Sequence, residues 1–305
     1  MFLLTSSRLR VEVSEPMEQP NTGFRFDQAA FISDVTLDGT CHFAAAEPQN
    51  LIHSSSSGRG LCCEYSADYS AEAQQGEWYP KFGVGLIQKN GPYQFWQRYD
   101  QVQRFDIEYE HDDCSATFAT KPLPCMGYAA RITKKIEVKE NNLRLTGCME
   151  NVGDKTIDTE EYCHNFLSID GMSITPDYRL ILPSLSGSSP VSLVNRKKQP
   201  TNFIASHSGV SFLRTDPAVS LADLALDSLD TRTPFCWEMH CDSARARVFC
   251  KESFSPSRIT LWATDHIFSP EVVQRIIIRP REKYTWSRWW TFERDTVRPY
   301  MHAEK

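Results

Sequence analysis

The chain has 305 residues, 41% of them hydrophobic and 24% charged, with a formal net charge of −6 and a pI near 5.8. That composition suits a globular protein with a sizeable core. The acidic balance argues against nucleic acid as the main partner, since a phosphate backbone attracts clustered Lys and Arg, and the single basic cluster, Arg196-Lys197-Lys198, reads as a solvated loop. No apolar run reaches the roughly 18 residues that would cross a membrane.

The opening MFLLTSSRLR carries only a short apolar run, so no signal peptide is expected. The ten cysteines are scattered, with no C-x-x-C pair. Reduced thiols in a cytoplasmic protein are the reading. A zinc site on Cys236, His240 and Cys241 is rejected because the spacing suits strand packing.

Taken in chain order, alternation predicts strands at 9–13, 30–37, 83–88, 104–109 and 116–120. The clearest follow. Ile132, Ile136 and Val138 share one parity against Thr133, Lys135, Glu137 and Lys139, Asn141-Asn142 turns the chain, and Leu143, Leu145 and Met149 resume. Further strands are predicted at 210–215, 235–241, 246–250, 258–263, 272–278 and 284–292. The last places Tyr284, Trp286, Trp290 and Phe292 on one face and Trp289 on the other. Only 216–226 carries a helical start signal and spacing, with loop as the alternative. With no linker and no repeat, the fold class is all-β: one large sandwich of two mostly antiparallel sheets over residues 1–305.

Inside this pattern stands His164, in EYCHNFLSID, where a core strand calls for an apolar residue. The segment ENVGDKTIDTEEYCHNF, through Asn151, Gly153, Asp154, Lys155, His164 and Phe166, resembles a hallmark of the galactose mutarotase-like superfamily, the aldose 1-epimerases and their relatives. GFRFDQAAFISDVTLDG and PEVVQRIIIRPREKYTWSRWWTF are similar to its opening and closing strands. The resemblance implies a β-supersandwich, a sugar-binding face and a histidine–glutamate acid–base pair. The chain departs from the family in lacking a His-Gly-Gly segment, in placing Glu271 within SPEVV, and in carrying Arg281 where glycine is usual.

On that reading His164 is the acid and Glu271 the base, with Asp265, His266 and Glu238 as competitors for the base's position. Mutarotation protonates the ring oxygen while the anomeric hydroxyl loses its proton, a task for an acid and a base on opposite sides of the hemiacetal. No cofactor and no metal is required. Substrate-binding candidates are Arg25, Lys81 with Phe82, Trp96, Glu238 and His240. Trp78 and Tyr79 are possible stacking platforms, and Glu64 and Arg98 are polar residues at strand junctions. Glu160-Glu161 point to opposite faces of one strand, so they are no glycosidase pair. The expected function is 1-epimerisation of a monosaccharide or sugar derivative. The alternatives are a non-catalytic carbohydrate-binding protein and another sugar-active enzyme on the same scaffold.

Overall fold

A computed structural model describes residues 1–18, 24–48, 58–95, 99–183, 191–195, 201–213 and 219–295. Among these, two ten-stranded antiparallel sheets carry the fold, with a three-stranded sheet beside them. The first sheet runs in the order Phe2–Thr5, Leu9–Val13, Ile32–Leu37, Leu61–Ser66, Ile157–Asn165, Phe268–Ile278, Arg258–Ala263, Ser220–Leu224, Leu193–Val194, and Cys41–His42 pairs with Ile32–Leu37. The second places Phe235–Cys241, Ala246–Glu252, Lys283–Arg294, Asn142–Asn151 and Ala130–Lys139 at its centre. No helix among the described residues is long and apolar enough to cross a membrane.

The sheets pack face to face, and their inner faces carry polar groups as well as the apolar core. Trp290 donates from Nε1 to Asn165 Oδ1 at 3.0 Å across the layers. Arg288, fully buried, donates to both oxygens of Glu161 at 2.9 and 2.8 Å. Lys134 and Asp27 form a second buried pair at 2.7 Å. A buried ion pair of this kind costs desolvation on both sides, so its favourable contribution rests on geometry. The cross-sheet pairs also fix which face is which. Because Glu161 points to the opposite sheet, period-two alternation turns Tyr162 and His164 to the outer side.

The Asn151 segment is a turn held by one amide. Its Nδ2 donates to the carbonyls of Lys155 and Ile278 at 2.8 and 2.9 Å, while its Oδ1 accepts from Gly153 N at 3.0 Å. Glycine is required next to it, since a Cβ on Gly153 would lie 2.6 Å from the Gly127 carbonyl oxygen. This lock aligns the Ile157–Asn165 strand that carries the histidine.

Two expectations change. The helical reading of 216–226 gives way at Ser220–Leu224, a strand paired with Arg258–Ala263. There Ala222, Asp223 and Leu224 are all buried, and sheet pairing overrides the local spacing. The predicted 104–109 strand is two: Val102–Arg104 joins the three-stranded sheet, and Ile107–His111 edges the second large sheet. Buried Phe105 lies at the break.

Candidate active site

Three neighbouring strands build the site. Pairing of Ile157–Asn165 with Leu61–Ser66 sets His164 opposite Cys62 and Tyr162 opposite Glu64. On the other side Phe268–Ile278 supplies Glu271. The segment before Ile32–Leu37 is pinned over them by Asp27 N donating to the Cys63 carbonyl at 2.9 Å, which brings Arg25 and Phe26 onto the outer face. A satellite apolar cluster of Phe26, Phe31, Cys62, Phe166 and Ile267 floors it, with Trp262 packed alongside. Gly58 makes room for this wall, because a Cβ there would meet Phe166 at 2.4 Å and Phe26 at 2.6 Å.

The His164 ring lies between two carboxylates. Nδ1 is 2.8 Å from Glu271 Oε1 and Nε2 is 3.0 Å from Glu64 Oε2. Both contacts are satisfied together when the ring is an imidazolium donating from each nitrogen. Burial disfavours that charge, but Glu271 and the hydrogen bonds to both carboxylates outweigh it and hold the pKa above the ordinary 6.5, with Arg25 opposing. Phe166 stacks on the ring at a centroid distance of 5.2 Å and Phe26 meets it edge-on at 5.1 Å, which fixes its plane.

The two carboxylates differ. Glu64 Oε2 accepts from Arg25 Nε at 2.9 Å and the Tyr162 hydroxyl at 2.9 Å as well as from His164. Its Oε1 faces Lys81 Nζ at 3.3 Å. Burial resists ionisation of Glu64, yet Lys81 and Arg25, with His164, hold its carboxyl well below the usual range. Glu64 is therefore a saturated anion and a poor base. Glu271 takes His164 and the Ser269 hydroxyl on Oε1, and its Oε2 accepts no hydrogen bond from the described residues. Its side chain is 11% exposed against 5% for Glu64. Arg25 also approaches Glu47 at 3.8 Å and packs over the rings of Phe26 and Phe95. Burial lifts the Glu47 carboxyl, with Arg25 opposing.

This arrangement sits in a known architecture. A putative aldose 1-epimerase from Escherichia coli K12 superposes with a TM-score of 0.59 at 12% identity, over 96% of this chain and 99% of that one. A galactose mutarotase related enzyme from Lactobacillus acidophilus gives 0.62 at 13%, over 97% and 99%. The chain has the galactose mutarotase-like fold. An aldose epimerase homologue from C. elegans gives 0.55 at 11%, over 97% of this chain and 99% of that one. No family model matches the sequence, and no curated protein matches it.

Within this galactose mutarotase-like sandwich the sequence candidates separate. Arg25, Glu64, Lys81, His164 and Glu271 come together. Lys81, read from the sequence as a sugar contact, is 2% exposed and lies behind Glu64, also donating to the Tyr65 carbonyl. Its ammonium braces Glu64 and is shielded from solvent. Glu238 and His240, candidates for substrate contact, do not lie on the face of His164. They lie on the second sheet, paired with each other at 2.8 Å, because Trp237, Met239 and Cys241 take the inward positions of their strand. Asp265 and His266 form their own contact at 2.5 Å in the turn before Phe268. Tyr79 is in the core. Trp96 and Arg98 lie outside the described residues.

The expected geometry of acid and base on opposite sides of a sugar is also revised, since His164 and Glu271 touch. Sequence reasoning missed Tyr162, Phe26, Trp262 and Glu47 as site residues. Parity could have found Tyr162, two residues from His164, whereas nothing in AAAEPQN marks Glu47.

Proposed function

We propose that the chain is an aldose 1-epimerase-like enzyme, interconverting the anomers of a sugar or sugar derivative by acid–base ring opening, with His164 as acid and Glu271 as base. The observation that carries this reading is the unequal pair of carboxylates on one imidazolium: Glu64 is saturated, whereas Glu271 keeps an oxygen available beside it. The two oxygens of a hemiacetal share one carbon, so an adjacent carboxylate and imidazolium reach both from one side.

On binding, the His164–Glu271 hydrogen bond is exchanged for one bond from each residue to the sugar. Glu271 takes the anomeric hydroxyl proton, and the released electron pair forms the C1=O1 double bond. The C1–O5 bond breaks towards O5, which receives the His164 proton. Rotation of the aldehyde and reversal of these steps closes the other anomer. Glu64 keeps His164 protonated before each turnover, and Arg25 and Lys81 keep Glu64 ionised. Apo active sites often show such catalytic bonds rearranged.

A second reading, a non-catalytic carbohydrate-binding protein, is favoured by the burial of His164, which is 1% exposed and in direct contact with Glu271. Glu271→Gln separates the two. Under the enzyme reading it slows anomeric exchange by about 10²–10⁴-fold, the usual worth of a positioned acid or base, while sugar binding persists. If the wild type binds sugars without accelerating exchange, the binding reading stands.

A further inference from the structure

The outer face of the first sheet continues past the acid–base pair. Register places Thr260 beside Glu271, Asp223 beside Thr260 and Val194 beside Asp223. With His164 bonded to Glu271, these five residues form one cross-strand row. Neighbouring strands lie about 4.8 Å apart, so Asp223 stands roughly 10 Å along the row from Glu271.

At that end of the row opens a cavity of about 620 Å³, lined by Glu160, Asp223, Ser257, Arg258, Val194 and Leu226 among others. Its volume falls in the range of small-molecule sites. The polar side is ordered in advance. Arg258 donates to Glu160 at 2.6 Å and to the Thr260 hydroxyl at 2.9 Å, and that hydroxyl donates to Asp223 at 2.6 Å. Arg258 is thus neutralised by Glu160. Carboxylates, a guanidinium and a hydroxyl beside Val194 and Leu226 suit a polyhydroxylated ring with one apolar face.

We propose that this cavity is a second sugar subsite, so that the substrate is a reducing disaccharide or longer saccharide with its reducing-end residue at His164 and Glu271 and the next residue against Asp223 and Arg258. The free anomeric carbon stays at the acid–base pair, and the glycosidic link runs from another carbon along the row. In its kinetic readout the proposal rests on the epimerase reading, whereas its binding readout does not.

The test compares glucose and galactose with maltose, cellobiose and lactose by anomeric exchange and by line broadening, in wild type, Asp223→Ala and Leu226→Trp. The last fills the cavity without removing a polar group, and so covers the case in which Asp223→Ala fails to fold. At least one disaccharide is expected to exceed the monosaccharides in kcat/KM by about tenfold, the worth of one hydrogen bond to a charged group. Both variants are expected to bring that ratio to near one. A wild-type ratio near one, or a preference that survives both variants, overturns the subsite. If no sugar is exchanged at all, the epimerase reading fails and the same comparison is read in Kd. A disaccharide bound no more tightly than glucose then overturns the subsite independently.

Discussion

Lys81→Met separates a sugar contact from a support for Glu64. The ammonium is 2% exposed, 3.3 Å from Glu64 Oε1, bonded to the Tyr65 carbonyl, and 5.1 Å from the centre of the Tyr93 ring. Burial pushes the Lys81 pKa below its ordinary value even with Glu64 pulling it up, so the charge is held at a cost that this contact offsets. Methionine fills much of the same volume without charge. The variant leaves one oxygen of Glu64 and a buried carbonyl without their donor, while Arg25, Tyr162 and His164 still hold the other oxygen. Breaking a buried pair typically costs about 3–5 kcal/mol, and the remaining partners of Glu64 place this case near 3 kcal/mol. At about 2.1 cal/mol/K of unfolding entropy per residue, a chain of 305 residues then loses about 5 °C in Tm. Calorimetry reads the melting, and NMR titration reads sugar affinity, expected to change less than about threefold, well under 1 kcal/mol. An unchanged Tm with a tenfold weaker Kd would refute the reasoning and return Lys81 to the sugar.

Three further perturbations follow from the buried charges and the packing. Since the folded pKa of His164 is raised above 6.5, its contribution to stability is fully present below pH 6.5 and is lost as the pH rises through the folded value. The stability difference between wild type and His164→Gln should therefore shrink from pH 6 to pH 9 in denaturant titrations, and a difference that grows would contradict the imidazolium assignment. Glu252 is pushed up to about 7 by burial, with Glu161 adding to the rise and Arg288 opposing it. Its ionisation costs stability as pH rises from 4.5 to 7, so Glu252→Gln should gain about 2 kcal/mol relative to wild type between pH 5 and pH 8, an amount below the full value of such a shift. Parallel pH profiles would rule that out. Gly58→Ala should cost about 1–3 kcal/mol through overpacking against Phe26 and Phe166. It should also shift the histidine ring resonances, and a neutral substitution would mean that this wall is soft.

The sandwich was legible because its strands alternate. Ile132, Ile136 and Val138 show the period, as do Leu143, Leu145 and Met149, and they are buried as that period requires. The same rule hid the interior charges. Lys134 and Arg288 occupy inward positions that alternation reserves for apolar residues, and their partners, Asp27 in a loop segment and Glu161 on a strand, are distant in the chain. Parity cannot reveal a pairing across two layers. At the site, His164 was conspicuous as a polar residue on an apolar strand, and Glu271 followed from the resemblance. Glu238 and His240 share a parity with each other, but alternation says nothing about which of two sheets a strand joins. Their misplacement follows from that, as does the splitting of 104–109 between two sheets. The contact between His164 and Glu271 depends on adjacent strands whose sequences are about a hundred residues apart, so its distance was beyond sequence reasoning.

Saturation-transfer NMR of anomeric exchange, run on aldoses, their phosphates and reducing disaccharides with wild type and His164→Ala side by side, tests the central claim most directly. The account predicts acceleration of at least one of these sugars by the wild type and its loss in the variant. Acceleration that survives in His164→Ala, or none for any sugar that the wild type demonstrably binds, would contradict it.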